Sequence, residues 1–374
     1  MAAGPEIART RFGRRPFLGM VGLAVSARPA GGVAAYIGNF TKAIGLARLG
    51  DTGTLTATGT VNGLDNPAFL TLAARGTTLY AVNDTDSGRV TALAVGAGGG
   101  LTVLGGQPTG GAMPTHLTIH PSGRFLLVAN YGAGSTAVFP INSDGTLGAR
   151  TDLVQYTGSG PDPTRQDGPH AHMVAFDPAG RYLYVPDLGT DQVHVHALDL
   201  GTGRLRSIGD TALPSGAGPR HLAFHPTAPA VYVADELDST VAVCAQDPTS
   251  GLLTPGQVLP AAPPGGARNY PAEILVSQDG RFVYVSNRGH NSVAVFAIEA
   301  DGRRLRAVGT TPCGGNWPRH ITIDRSGRFL FASNQYSNSV TAFSVDQATG
   351  RLSPIGRPLS TPSPVCLLLG QPVP

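Results

Sequence analysis

Ionisable residues recur at one place in a series of similar segments of this chain. Each segment begins with proline, and the residue two positions later is His116, His221, Glu273 or His320. Imidazole and carboxyl groups can act as general acids and bases, because their surroundings can bring their pKa values close to neutrality. The pattern therefore predicts a site for proton transfer, provided that the fold brings these segments together.

Arginines and further polar residues accompany this set in equivalent segments. They are His170, His172, Arg220, Asn287, Arg288 and Arg319. A guanidinium group can bind a carboxylate or phosphate through two hydrogen bonds, and it can stabilise an oxyanion. Five of the ten histidines fall in this predicted cluster, and fold stability alone does not require so many ionisable groups in one place.

Several of these residues also have a structural interpretation. His116 and His320 can tie neighbouring segments together through the backbone, and Asn130 and Asn334, at predicted strand ends, can cap turns. Glu273 is harder to explain in this way, because a buried carboxylate needs partners.

We expect Arg220 and Arg288 to be the partners of Glu273. His194 and His196 alternate on one predicted strand, and we expect both to lie on the surface.

A repeat of about 50 residues organises the chain. The prolines that begin the repeats are Pro67, Pro114, Pro169, Pro219, Pro271, Pro318 and Pro364. Within each repeat, runs of five to eight residues rich in Val, Ile, Phe and Tyr alternate with turns that contain Gly, Asp or Asn. This pattern is typical of short antiparallel strands, and a period of this length predicts the blades of a β-propeller.

The last repeat is incomplete at the C-terminus, where only PVCLLL and a short tail follow. The N-terminal run AAYIGNF (34–40) matches the second strand of a repeat. We therefore predict an all-β, seven-bladed propeller over 33–374, in which N-terminal strands pair with a C-terminal strand and close the ring without a free sheet edge.

Blade geometry assigns the polar residues to one face. If the four strands of a blade run outward from the central channel, the segments before the first strand and after the second strand share one face, here named the near face. The Pro-x-His and Pro-x-Glu segments lie there, and so do Asp235, Glu236 and other residues that end second strands. The predicted cluster therefore surrounds the near-face mouth of the channel.

The pattern of residues 1–32 predicts a leader segment. Arg14 and Arg15 precede Phe17, Leu18 and a short apolar run, and small residues follow. This order resembles a twin-arginine export signal, which predicts a periplasmic or extracellular protein; the alternative is a leader that remains in the cytoplasm. No run approaches the ~20 apolar residues that span a bilayer.

Composition argues against several other classes. A net charge of +3 without a long basic run does not favour nucleic-acid binding. The three cysteines are far apart and form no C-x-x-C motif, so we expect buried free thiols. We expect no metal or other cofactor, a small-molecule partner and a monomeric protein.

The near-face motifs as a set resemble those of the lactonase-type propellers. The motifs are GPHAH (168–172), GPRH (218–221), PAEI (271–274), SNRG (286–289) and NWPRH (316–320). This family includes the propeller form of 6-phosphogluconolactonase and the fungal carboxy-cis,cis-muconate cyclase. The resemblance implies a seven-bladed fold and metal-independent chemistry at a lactone ring. One departure is Asn83-Asp84, where relatives often carry Glu after Asn.

Through these shared motifs, the resemblance implies that the catalytic residues are His172, Arg220, Glu273 and Arg288. We expect the substrate to contact His116, His170, His221, Asn287, Arg319 and His320.

The favoured hypothesis is hydrolysis of a sugar or small-acid lactone, with the lactone or its hydroxy acid as the ligand. Glu273 or His172 would act as the base and the other as the acid, while Arg220 and Arg288 hold an oxyanion or a substrate anion. The alternatives are a lactonising cyclase of the muconate type and a non-catalytic propeller that binds a small anionic ligand.

Overall fold

The computed structural model describes residues 31–266 and 268–373. The predicted leader lies almost entirely outside this part of the chain. The described residues form seven four-stranded antiparallel sheets and one turn of 3-10 helix, Gln335–Ser337. The prediction of a seven-bladed propeller is confirmed. None of the described helices is long and apolar enough to cross a membrane.

The strands are numbered in chain order. The first fifteen are β1 (Gly32–Asn39), β2 (Ala43–Leu49), β3 (Leu55–Asn62), β4 (Pro67–Leu72), β5 (Thr78–Asn83), β6 (Arg89–Val95), β7 (Leu101–Pro108), β8 (Pro114–Ile119), β9 (Phe125–Asn130), β10 (Ser135–Pro140), β11 (Asp152–Gln155), β12 (Ala175–Phe176), β13 (Leu183–Asp187), β14 (Gln192–Asp199) and β15 (Arg204–Ala212). The others are β16 (Pro219–Phe224), β17 (Ala230–Asp235), β18 (Thr240–Gln246), β19 (Leu253–Pro260), β20 (Tyr270–Val276), β21 (Phe282–Arg288), β22 (Ser292–Glu299), β23 (Arg304–Pro312), β24 (Pro318–Ile323), β25 (Phe329–Asn334), β26 (Ser339–Val345), β27 (Leu352–Ser360) and β28 (Pro364–Val373).

The two ends of the chain share one blade. Its strand order is β28-β1-β2-β3, and Tyr36 on β1 pairs with Leu368 on β28. The other six blades each consist of four consecutive strands, from β4–β7 to β24–β27, and are numbered one to six in this order. This arrangement confirms the predicted closure, in which the C-terminal strand is innermost.

Most innermost strands are irregular at the residues that face the channel mouth. The register with the second strand shifts just after Pro67, Pro114, Pro219, Pro271 and Pro318. Such bulges redirect side chains and are common beside active sites. As a result, adjacent residues such as Arg220 and His221 both reach the channel mouth.

The third blade departs most from the repeat. Its innermost strand, β12, contains only two residues, and Ala171 makes an isolated bridge to Asp187. The inserted residue in PHAHM breaks the ladder at this point. The segment before β12 is consequently held by loop contacts: the His170 N–H donates to Asp187 Oδ1 at 2.7 Å and the His172 N–H donates to Pro186 O at 3.0 Å.

Buried side chains join neighbouring blades. Tyr80 and Tyr232 are fully buried, and each donates a 2.9 Å hydrogen bond from its hydroxyl to a glycine carbonyl of the following blade. A buried tyrosine hydroxyl needs such a partner. The three cysteines are buried and free, as predicted.

The prediction that His194 and His196 lie on the surface is wrong, since both side chains are buried. Tyr156, contributed by the preceding blade, stacks on His194 with ring centroids 4.0 Å apart. The carboxylates of Asp187 and Asp210 contact the two ring nitrogens of His194. The equivalent residues of other third strands, such as Ala242 and Ala294, are also buried, so this face packs between blades throughout the ring.

A substitution at Leu367 on β28 tests how strongly the shared blade stabilises the ring. This side chain is 2% exposed and packs against the last complete blade. We expect Leu367→Ala to lower the free energy of unfolding by about 2–5 kcal/mol, because it removes buried methyl groups and leaves a cavity. Urea denaturation measures the change. Leu104→Ala, at a residue 37% exposed, is the control; equal losses in both variants would contradict the role of β28.

Candidate active site

Two adjoining chambers occupy the near-face mouth of the channel. The outer chamber has a volume of about 390 Å³ and the inner one of about 20 Å³. Asp84, Thr115, His172 and Arg319 line both chambers. Residues from several blades therefore converge here, as the propeller geometry predicts.

Glu236 is the anionic centre of the outer chamber. It follows strand β17 directly and is 3% exposed. Its Oε1 accepts from Arg165 at 2.6 Å, and its Oε2 contacts both Arg288 and, at 3.2 Å, Nε of Arg220. The three guanidinium groups outweigh the effect of burial and lower the pKa of Glu236 to about 2. The carboxylate is therefore ionised across the neutral range.

Backbone and aromatic contacts fix the arginines further. Arg220 donates through Nη1 to Ala272 O at 2.6 Å, and Arg288 donates through Nε to Tyr270 O at 3.1 Å. The Arg288 guanidinium also lies over the ring of Trp317, 5.6 Å from its centroid. These contacts hold the two cations beside Glu236 without free rotation.

The prediction that Arg220 and Arg288 are the direct partners of Glu273 is wrong. Glu273 Oε1 contacts Nδ1 of His221 at 3.0 Å, and Oε2 lies 3.4 Å from Nε2 of His320. The arginines pair with Glu236 instead, because the end of β17 brings this carboxylate to them. Burial raises the pKa of Glu273.

His172 lies at the boundary between the chambers. Its carbonyl accepts from the Thr115 hydroxyl at 3.2 Å, and its ring lies 5.1 Å from that of His221. Burial, and next the charge of Arg220, hold the pKa of His172 well below its usual value. The imidazole is therefore neutral at pH 7 and can accept a proton. Glu273, His221, Arg220 and His172 all line the inner chamber.

Arg319 differs from the other arginines of the site. Of the carboxylates in the described residues, none lies within ion-pair distance of its guanidinium, which packs 5.2 Å from the ring centroid of Phe40. Across the same cavity, burial raises the pKa of Asp84 to about 6, although the positive charge of Arg319 opposes the shift. Arg319 thus offers a positive charge to the outer chamber.

Three predicted substrate contacts line neither chamber. His116 packs against Phe69 with ring centroids 4.2 Å apart and the rings tilted by 39°, and its Nδ1 accepts from Val174 N at 3.4 Å. His170 stacks on Tyr131 at the rim. The Asn287 amide donates to Ala261 O at 2.7 Å, which is a structural contact. Of the predicted substrate-binding set, His221, Arg319 and His320 line the inner chamber, and Arg319 also lines the outer one.

Sequence reasoning did not select Glu236, Arg165 or Tyr131 as site residues. The sequence pattern could have indicated Glu236, because this residue follows a second strand on the near face. It could not have indicated Arg165, which comes from a long loop without an equivalent in the other repeats. Tyr131 lies near it, with its hydroxyl 3.4 Å from Arg165 Nη2. The described residues contain no group of three or more His, Cys, Asp or Glu side chains arranged to hold a metal ion.

Comparisons with known proteins agree with this geometry. A family described as "Lactonase, 7-bladed beta-propeller" matches residues 34–369. The chain is 37% identical over 256 residues to a 6-phosphogluconolactonase from Bacillus subtilis, covering 68% of this chain and 72% of that protein.

Solved structures give the same result. A crystal structure of a putative 6-phosphogluconolactonase from Bacteroides fragilis is 32% identical with a TM-score of 0.85, and covers 92% of this chain and 99% of that one. A periplasmic gluconolactonase from Pseudomonas aeruginosa is 30% identical with a TM-score of 0.86, and covers 91% of this chain and 99% of that one.

Glu236→Gln tests the charge balance of the site. We expect a loss of about 3–5 kcal/mol in the free energy of unfolding, because buried arginines lose their anion. The depressed pKa of Glu236 stabilises the fold above the unfolded-state value near 4.5, and this contribution is lost as pH falls from about 4.5 to 2. The variant should therefore lose less stability than the wild type over that pH range. Denaturation at several pH values measures both effects.

Glu299→Gln, which removes exposed ion pairs with Arg304 and Arg306, is the matched control and should change stability little. Equal acid sensitivity of the wild type and Glu236→Gln would contradict the assigned charge state.

Proposed function

The chain belongs to the lactonase family of seven-bladed β-propellers and is a lactonase-type hydrolase; we propose that it opens the ring of a small anionic lactone, of the 6-phosphogluconolactone type. The outer chamber, at about 390 Å³, is within the usual size range of small-molecule sites. It opens on the near face and has charged groups on its walls. The substrate therefore binds there, above the inner chamber.

Arg319 is the observation that carries the choice of an anionic substrate. Arg165, Arg220 and Arg288 share Glu236, whereas Arg319 has no carboxylate within ion-pair distance in the described residues. Arg319 is half-buried, so solvent compensates its charge only in part, and a bound carboxylate or phosphate would supply the missing partner. The substrate anion therefore binds at Arg319, with Arg288 close to the same chamber.

Glu273 and His172 provide the acid–base chemistry. Lactone hydrolysis needs a base that takes a proton from water, a cation or donor for the oxyanion, and a proton for the ring oxygen. His172 contacts both chambers, and Glu273 lies in the inner one. The arginines around Glu236 stabilise the oxyanion, because their positions are fixed before the substrate binds.

The leader supports export. The twin-arginine pattern at Arg14 and Arg15 belongs to residues that the structure does not describe, and one similar protein bears the name of a periplasmic gluconolactonase. We propose that this chain is exported. A function in carbohydrate metabolism outside the cytoplasm would then require a lactone that is present there.

A pair of lactones tests the substrate class. We expect the full chain to hydrolyse 6-phosphogluconolactone with a higher kcat/KM than uncharged glucono-δ-lactone. Arg319→Gln should raise KM for the phosphorylated lactone about 10–100-fold, as expected for loss of a hydrogen bond to a charged group, and should change KM for the uncharged lactone less than about threefold. Initial rates from pH-stat titration give these constants.

Arg206→Gln replaces an exposed arginine of β15 and should leave both constants unchanged. Preference for the uncharged lactone would contradict the anionic substrate. No turnover of either lactone, together with tight binding of a sugar acid, would favour the non-catalytic binding propeller.

Asp84 gives the site a dependence on pH. Because the pKa of Asp84 is about 6, its carboxyl is neutral below that pH and repels a substrate anion above it. We expect KM of the wild type to exceed that of Asp84→Asn about three- to tenfold at pH 7.5 and to equal it at pH 5. Any titration of the substrate affects both proteins equally, so it does not change the ratio of their KM values at a given pH. A constant ratio would show that Asp84 does not titrate in this range.

A further inference from the structure

A network of buried hydrogen bonds adjoins the ion cluster of Glu236. Its centre is Asp191, which is 6% exposed and lies in the turn between β13 and β14. Asp191 Oδ1 accepts from Gln166 Nε2 at 2.7 Å and from Gly218 N at 2.8 Å. Asp191 Oδ2 accepts from Gly216 N at 2.6 Å. One carboxylate thus joins the long loop before the third blade to the loop that leads into the fourth.

Gln166 anchors the long loop and is itself fully buried. Its Nε2 also donates to Leu188 O at 2.9 Å, and its Oε1 accepts from Asp162 N at 3.1 Å. Both hydrogens of the amide and its carbonyl oxygen therefore have partners inside the protein. The preceding residue is Arg165, whose Nη2 lies 2.6 Å from Glu236 Oε1. The position of Gln166 therefore determines where the Arg165 guanidinium meets the carboxylate.

The loop into the fourth blade connects Asp191 to the other side of the ion cluster. Gly218 donates its N–H to Asp191, and its carbonyl oxygen accepts from Glu236 N at 2.8 Å. Arg220 lies two residues after Gly218, and its Nε contacts Glu236 Oε2 at 3.2 Å. The same glycine therefore fixes the backbone of Glu236 and the start of the strand that carries Arg220.

The charge and the backbone conformation of Asp191 fit a residue that holds other groups in place. Its φ of 57° lies in the left-handed region, which Asp and Asn adopt more readily than most other residues with a side chain. Its carboxylate accepts three N–H hydrogen bonds from the protein. Hydrogen bonds to an ionised acceptor are stronger than those between neutral groups, so the two loops are held firmly.

We propose that Asp191 is a positioning residue of the reaction, which holds Arg165 and Arg220 against Glu236. This inference rests on the proposed function, in which the arginines around Glu236 stabilise the oxyanion. Such stabilisation requires the donors to be in place before the charge develops, and a misplacement of about 1 Å can cost about 100-fold in rate. Asp191 lines neither chamber, so it acts on the reaction through Gln166 and Gly218.

Asp191→Asn tests this role with almost no change in shape or backbone preference. Whichever carboxylate oxygen becomes the amide nitrogen, it faces a backbone N–H, so at least one hydrogen bond is lost. We expect kcat to fall about 10–100-fold with 6-phosphogluconolactone and equally with glucono-δ-lactone, because the oxyanion forms on both. KM should change less than about threefold, since an interaction made only in the transition state affects kcat and kcat/KM equally.

Asp177→Asn is the matched control for a purely structural effect. Asp177 is 3% exposed and accepts from Arg181 N at 2.6 Å and from Tyr182 N at 3.2 Å. It lies in the turn after an innermost strand, on the face opposite the site. Both variants should unfold at lower urea concentrations than the wild type, whereas only Asp191→Asn should lower kcat measured without urea. An unchanged kcat in Asp191→Asn would overturn the proposal.

Gln166→Met is a second variant, which removes the amide at similar side-chain length. We expect kcat to fall in this variant as well, because the loop that carries Arg165 loses its anchor. When Gln166→Met is combined with Asp191→Asn, kcat should fall by less than the product of the two single effects, because both changes break one network. Fully multiplicative losses would contradict a shared action on the cluster.

A measurement on the wild type does not depend on a variant that folds. Binding of 6-phosphogluconate should slow amide hydrogen exchange at Gly216 and Gly218, because a ligand held by the arginines also stabilises the loop behind them. Exchange at the Arg181 and Tyr182 amides, which donate to Asp177, should not change. Bound ligand without slower exchange at the two glycines would contradict the coupling.

The outcomes separate this inference from the proposed function. Lactone turnover by the wild type with an unchanged kcat in Asp191→Asn would overturn the positioning role while lactone hydrolysis stands. Absence of wild-type turnover on every lactone would overturn the proposed function. A crystal structure of Asp191→Asn then tests the network by itself: displacement of Arg220 from Glu236 supports it, and an unmoved ion cluster contradicts it.

Discussion

The ion cluster around Glu236 is the interaction on which the near face depends. Three arginines from different parts of the chain converge on this one buried carboxylate. Arg165 comes from the long loop before the third blade, Arg220 from the innermost strand of the fourth and Arg288 from the second strand of the fifth. Because removal of one member leaves buried charge without compensation, the cluster fixes the relative positions of three blades at the channel mouth.

The remaining polar groups are arranged in two layers below and beside this cluster. Glu273, His221 and His320 form an inner layer in which Glu273 makes its closest contacts with the two histidines. Arg220 of the arginine cluster lines the same chamber, and His172 and Arg319 line both chambers. Under the proposed function, the arginines bind an anion while Glu273 and His172 transfer protons. A single mixed layer would pair Glu273 directly with an arginine and lower its basicity. The bulges after the innermost prolines make the two layers possible, since they bring adjacent residues of one strand to the same mouth.

The sequence predicted the fold and the convergence of the near-face motifs at the channel mouth, because both follow from a repeat. Seven prolines at spacings near 50 residues give the number of blades. The motifs that follow them lie on one face because they occupy the same position in every blade. The pairing of charges could not be obtained in this way. Glu273 and Glu236 both reach the mouth, and the sequence does not show that the end of β17 brings Glu236, and not Glu273, to Arg220 and Arg288. Arg165 was missed because the loop before the third blade has no counterpart in the other repeats. His194 was misjudged because it is a polar residue on a strand face that is buried between blades.

A crystal structure of the full chain with a bound sugar acid, the product of lactone hydrolysis, tests the central claim most directly. The account predicts the anionic group within hydrogen-bond distance of the Arg319 guanidinium, and the carboxyl carbon beside His172 at the junction of the two chambers. A ligand whose anionic group lies away from the arginines, or one bound outside the near-face mouth, would contradict it.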